Sequence, residues 1–251
     1  MSNESYMYRT RHSFRTHNWL IHQIHDAALM EVLNRYAKGV LLDIGCGEKP
    51  YRNLTDELVS SHFGLDHPGS FHNITEIDIF ANAYATGFAS NSIDTVLCTF
   101  VLEHLEDPQN AIKEIYRILR PGGYLILSVP LYWHLHEEPR DFYRYTKYGL
   151  MHLFTTTGFE IVEIKPLAGF IVTFGKELVY FLNRLRRGPV KYPVLVEAEK
   201  KRNRDWAMKE LGINLGVWFV SNIHPAHCSV EGCPNADKAV RQSINFPSLL
   251  R

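Results

Sequence analysis

Cysteine is scarce in this 251-residue chain: Cys46, Cys98, Cys228 and Cys233 are the four it has. So few thiols in a chain of this size make no disulfide framework, and a reducing, cytoplasmic setting is the simpler expectation. Charge of one sign is not in excess either, since 27 Lys and Arg are met by 27 Asp and Glu. No global field argues for a nucleic-acid partner, and none is expected. Long apolar runs are missing as well, so no membrane-spanning helix is expected. The first residues, MSNESYMYRTRHSF, lack the apolar centre of a cleaved signal, which removes the expectation of secretion. Internal repeats and low-complexity tracts are absent too. What remains is an ordinary globular composition, 45% hydrophobic, in a length that suits one sizeable domain with decorations.

The most informative stretch is Val40 to Pro50, VLLDIGCGEKP. Val40, Leu41, Leu42 and Ile44 form the short apolar run of a strand covered on both faces. Gly45 and Gly47 then let the backbone turn sharply and approach a ligand with no Cβ in the way. Asp43, at the end of the strand, is an acceptor for turn amides or for a cationic ligand group. A dinucleotide fingerprint would carry a third glycine where Pro50 stands, and a proline there removes an amide donor from a pyrophosphate cradle. A phosphate-free cofactor fits better. A nicotinamide-dependent oxidoreductase stays open as an alternative, as does a non-catalytic binding protein on the same fold.

Residues 1–16 read as an N-terminal arm, 17–225 as the domain and 226–251 as an irregular tail. Apolar residues at helical spacing predict a helix over Trp19 to Tyr36, closed by Lys38-Gly39. Tyr51 to Ser60 reads as a short helix and His62 to Asp66 as a second strand. Asp66 follows Gly45 by about twenty residues, where nucleoside-binding α/β folds place an acid on the ribose hydroxyls. Asn73 to Phe80, NITEIDIF, reads as a third strand that carries Asp78. Ile93 onward, in IDTVLCTFVLEHL, is a fourth strand with a turn, and LRPGGYLILSVP a fifth, reached through a helix opened by Asp107 and Pro108.

In DIGCG, in NSIDTVLCTFVLEHL and in LRPGGYLILSVP the chain resembles, in order, three segments of the class I S-adenosylmethionine-dependent methyltransferases, type 11-like domain. The resemblance covers Val40 to Pro130. It implies an α/β fold: a doubly wound Rossmann-like sheet of seven strands in the order 3-2-1-4-5-7-6, while residues 170–212 depart from the family's core pattern and read as a helical insertion before the last strand. It also implies S-adenosyl-L-methionine as cofactor. Asp43, Gly45, Cys46, Gly47, Thr99 and Phe100 would border its methionine end, Asp66 its ribose, and Asp78 and Ile79 its adenine; His67 counts among the cofactor-binding residues, and His104 would touch cofactor or substrate.

The segment after Pro130, LYWHLHEEPRDFYRYTKYGL, follows a strand and so belongs over the carboxyl ends of the sheet, where ligands bind. His134, His136 and Asp141 are the candidates for a general base, and Arg140, Tyr143, Arg144 and Tyr145 for acceptor binding, the arginines as anion holders. The His-x-His-Glu spacing offers no third ligand from sequence, so no metal is expected there. Phe170 to Leu185 reads as a helix apolar nearly all round, followed by a basic stretch to Glu210 with a helix near Val196 to Leu211. An apolar helix beside basic charge predicts a cover over the acceptor that touches a peripheral membrane surface, with a homodimer contact as the plainer reading. Asn214 to Ser221 reads as the seventh strand. A small-molecule, sugar or lipid-linked acceptor is expected.

Overall fold

The computed structural model describes residues 19–70, 75–185 and 217–225. Helix α1 (Trp19–Tyr36) leads into β1 (Val40–Ile44), and a short α2 (Arg52–Thr55) into β2 (Ser61–Asp66). The strands β3 (Ile79–Phe80) and β4 (Ile93–Thr99) follow, then a 3-10 turn at Leu102–His104, α3 (Pro108–Ile118) and β5 (Leu119–Pro130). The remainder is α4 (Lys147–Thr155), β6 (Phe159–Pro166), α5 (Phe170–Leu185) and β7 (Val217–Pro225).

Among the described residues seven strands form one sheet in the order β3-β2-β1-β4-β5-β7-β6, and β7 runs antiparallel between β5 and β6. That is the expected topology. The alternation of side chains along parallel strands divides the core in two. Leu41, Leu97 and Ile126 pack under Leu29, Val32 and Leu33 of α1. Leu42, Ile44, Val96, Leu125 and Leu127 pack on the other face with Ile112 and Ile115 of α3 and Phe154 of α4. A run buried on both faces is apolar throughout, which is why these strands were legible.

Local signals behave as their chemistry dictates. The Asp107 side chain accepts from the Asn110 amide, with Pro108 in the first helical turn, and the Thr146 side chain accepts from the Gly149 amide. Three boundaries differ from expectation. Only Arg52–Thr55 is helical after the glycine turn, and the chain passes into a turn over 56–58, with the Thr55 hydroxyl donating to the carbonyls of Tyr51 and Arg52. The strand carrying Asp78 shrinks to Ile79–Phe80, since at the sheet edge it has one neighbour, β2. The last strand lies at Val217–Pro225, shifted toward the C-terminus by its pairing with β6. The expected helix near 196–211, the arm 1–16 and the tail 226–251 lie outside the described residues.

Candidate active site

The turn after β1 is built on left-handed backbone: Gly45 has φ 70°, Gly47 φ 50° and Lys49 φ 46°. A Cβ on Gly45 would collide with the Val101 side chain, so glycine is required there by both space and conformation. The Leu65 carbonyl accepts from the amides of Gly45 (2.8 Å) and Cys46 (3.2 Å), which ties the turn to β2. The Gly47 amide donates to Asp66 Oδ2 at 3.0 Å, and the His67 amide to Asp66 Oδ1 at 2.7 Å. Asp66 thus stands at the meeting of both strand ends with lone pairs to spare. Asp43 is buried beside His62, whose Nε2 lies 3.5 Å from Asp43 Oδ2, and burial, partly offset by His62, raises its pKa. That oxygen has no hydrogen-bond partner. Burial first, and neighbouring acids second, push the Cys46 thiol up to about 12, so it is an inert lining group.

Lys49 gave no signal in the sequence beyond its place in GCGEKP. Its buried ammonium pairs with Asp78, whose Oδ2 also accepts from the Gly64 amide at 2.7 Å. The expected adenine acid therefore has an internal partner, and Oδ2 is engaged. Ile79 pairs in register with Leu65 next to it. His67 accepts from the Gly69 amide at 3.0 Å through Nδ1 and stays exposed.

At the end of β4, Phe100 adopts φ 56°, and its ring lies 4.7 Å from that of His25, a buried residue of α1. His25 Nε2 meets Ser128 Oγ at 2.9 Å, which joins α1 to the end of β5. The 3-10 turn then places Glu103 inside and His104 toward the loop. Glu103 is 1% exposed, and neither carboxylate oxygen has a hydrogen-bond partner. Burial, only partly offset by its own backbone amide and by Arg144, pushes its pKa up to about 8. His104 Nδ1 lies 2.6 Å from the Arg140 carbonyl.

The loop over the strand ends is pinned from several sides. The Glu103 carbonyl accepts from the amides of Phe142 (2.9 Å) and Tyr143 (3.2 Å). Tyr145 is buried and its hydroxyl donates to the Leu102 carbonyl at 2.9 Å, so it braces the core and is not an open acceptor-binding group. Tyr143 donates to the Glu106 carbonyl at 2.9 Å. Arg144 grips Asp141 with two bonds of 2.6 and 2.7 Å and also donates to the carbonyls of Trp133, His134 and Tyr143. It is a clasp of the loop, with its donors spent on Asp141 and three carbonyls. Arg140 is exposed and donates to the Gly69 carbonyl at 3.2 Å. Asp141, held far below the usual carboxylate range by Arg144 and the His136 amide against its burial, is too weak a base for the role expected of it.

His134 and His136 part company despite their spacing. His134 stacks on Tyr180 of α5, with ring centroids 3.8 Å apart, and lies 3.8 Å from Glu177. His136 packs edge-on against His104 at 4.7 Å, with its Nδ1 3.2 Å from Asp141. Burial lowers the pKa of both, so both are neutral bases near pH 7. Helix α5 adds two groups the sequence did not single out. Lys176, buried over the Trp133 ring, is pushed down to about 7 by burial, and Glu177 lies beside it.

Known proteins resemble this chain in part of its sequence and in its fold. Residues 42–127 match the family described as methyltransferase domain. A probable S-adenosylmethionine-dependent methyltransferase of Mycolicibacterium smegmatis is 29% identical over 112 residues, 42% of this chain and 44% of that protein. The demethylmenaquinone methyltransferase of Renibacterium salmoninarum is 32% identical over 95 residues, 35% of this chain and 40% of that protein. The chain thus spans less than half the length of either relative. In fold it is similar to a SAM dependent methyltransferase from Archaeoglobus fulgidus, with a TM-score of 0.51, 16% identity and coverage of 81% of this chain and 97% of the other. The matched segment runs through the glycine turn and the central strands, and over that segment the chain is similar to S-adenosylmethionine-dependent methyltransferases.

Proposed function

We propose that this protein transfers a methyl group from S-adenosylmethionine to a small-molecule, sugar or lipid-linked acceptor. The observation that carries the reading is the meeting of the Gly45–Gly47 turn with Asp66 beside the point where strand order reverses between β1 and β4. The cofactor supplies an already activated sulfonium methyl. The residues present fit it: a turn free of Cβ atoms, a buried Asp43 oxygen without a partner, and an Asp66 carboxylate at the strand ends.

Asp66 and His67 would take the ribose, and Asp78 through Oδ1, with Ile79, the adenine. Asp43, the amides of Gly45 to Gly47, Thr99, Phe100 and His104 would line the methionine end. The chain's own task is alignment and exclusion of water, which the clasped loop and α5 serve. His134 and His136, neutral at pH 7, are the groups suited to accept a proton from an acceptor hydroxyl. Arg140 would meet an acidic group on it.

An apolar acceptor is favoured by α5, whose Phe170, Ile171, Phe174, Leu178 and Phe181 form an exposed stripe. The relative from Renibacterium salmoninarum acts, by its name, on demethylmenaquinone. Among the described residues no helix is long and apolar enough to cross a membrane. The stripe, with the basic sequence after it, would rest on an anionic surface from a cytoplasmic position. Calorimetry with S-adenosylhomocysteine and with NAD tests the cofactor, and mass spectrometry of extracts incubated with labelled S-adenosylmethionine tests the transfer. Binding of NAD alone overturns the reading, and cofactor binding without transfer to any extract fraction reduces it to a binding protein. Liposome co-sedimentation with and without anionic lipid tests the surface.

A further inference from the structure

We propose that Glu103, His104 and His136 form a site for a divalent first-row transition ion on the loop side of the cleft. One ring nitrogen of each histidine and one carboxylate oxygen of Glu103 lie within 4.8 Å of one another. Two bonds of about 2.1 Å hold ligand atoms at most about 4.2 Å apart, so a small inward rotation closes the set on an ion.

The independent sign of a ligand is Glu103. It is almost fully buried, and both of its oxygens lack a hydrogen-bond partner. A carboxylate in that position is costly unless a cation or donors meet it. Arg144 acts on it only through space, because the guanidinium donors go to Asp141 and three carbonyls. The histidines are oriented as ligands are. A carbonyl only accepts, so His104 donates from Nδ1 to Arg140 O and presents a lone pair at Nε2. Asp141 Oδ2 lies 3.2 Å from His136 Nδ1, close enough to steady the ring although the two make no hydrogen bond here. Glu137, 3.8 Å from His104 Nε2, is within reach as a fourth ligand.

Two imidazoles and a carboxylate suit Zn²⁺, Fe²⁺, Mn²⁺ or Co²⁺, and three protein ligands leave coordination positions open. The sequence hid the site because His136 and the Glu103-His104 pair come from different strand ends. On the methyl-transfer reading, an acceptor oxygen on an open position would be acidified by the ion, and with His104 and His136 as ligands His134 alone would serve as the base. The site itself does not depend on that reading.

The test is a titration of chelator-treated, untagged full-length protein with Co²⁺, followed by visible absorption, and with Zn²⁺, followed by calorimetry. One equivalent should bind, with ligand-field bands and no thiolate charge-transfer band, which separates this site from Cys228 and Cys233. Glu103→Gln and His136→Ala should each weaken binding at least tenfold, while His152→Ala, on the exposed side of α4, leaves it unchanged. Absence of binding, or Co²⁺ spectra unaltered in a folded Glu103→Gln protein, overturns the proposal. Should Glu103→Gln not fold, His136→Ala decides alone, because its partly exposed ring is not core. S-adenosylhomocysteine affinity measured on the same metal-free samples keeps the two readings apart: retained cofactor binding without metal binding removes the ion and leaves the methyltransferase.

Discussion

The Lys49 side chain runs through the space that a Cβ on Gly64 would fill, and such an atom would also lie 2.7 Å from Cys46 Sγ. Gly64 is therefore the passage by which Lys49 reaches Asp78. Gly64→Ala should push the ammonium off its partner and cost roughly 1–3 kcal/mol in urea unfolding. In a Lys49→Ala background the same change should cost much less. Equal costs in the two backgrounds would assign the constraint to Cys46.

Asp66→Ala should weaken S-adenosylhomocysteine binding by roughly ten- to a hundredfold, as expected for lost hydrogen bonds to a charged acceptor of about 1.5–3 kcal/mol. Because the Gly47 amide also uses this carboxylate, thermal unfolding is measured beside calorimetry. A folded variant with wild-type affinity would place the acid outside the cofactor site.

Arg144→Ala should act on stability before it acts on the acceptor. It strands Asp141, whose side chain is 1% exposed, and an unpaired charge so buried costs about 3–5 kcal/mol. Lysine at 144 should rescue only part, since it cannot hold both carboxylate oxygens and three carbonyls. Limited proteolysis within 131–146 reports the loosened loop. A variant of unchanged stability with a raised acceptor KM would restore the anion-binding role.

Lys176 predicts a pH dependence of a definite sign. Its folded pKa falls from 10.5 to about 7, so between those values the unfolded chain binds a proton that the folded one refuses. Stability contributed by this group is full above pH 10.5 and is lost as pH falls toward 7. Lys176→Met should raise the melting temperature, and the gain over the parent should grow between pH 10 and pH 7, to about a few kcal/mol. A gain constant with pH would show that Lys176 is charged in the folded protein at pH 10.

The sequence by itself determined the fold and the glycine turn after β1. Those features are local: strands buried on both faces are apolar without interruption, the turn after β1 needs glycine at 45 and 47, and Asp107 and Thr146 cap the helices that follow them. Each is written within a few consecutive residues, so spacing alone carries it. Tertiary structure alone decided what surrounds each side chain of the loop after β5. His134 and His136 share a motif, yet one stacks on Tyr180 and the other meets His104, because α5 and the turn after β4 approach the loop from opposite sides. Arg144 looked like a free anion holder until Asp141 and three carbonyls closed around it, and nothing in the segment after β4 marked Glu103 as buried. Desolvation and partnership depend on residues distant in sequence, and no pattern within a single segment encodes them.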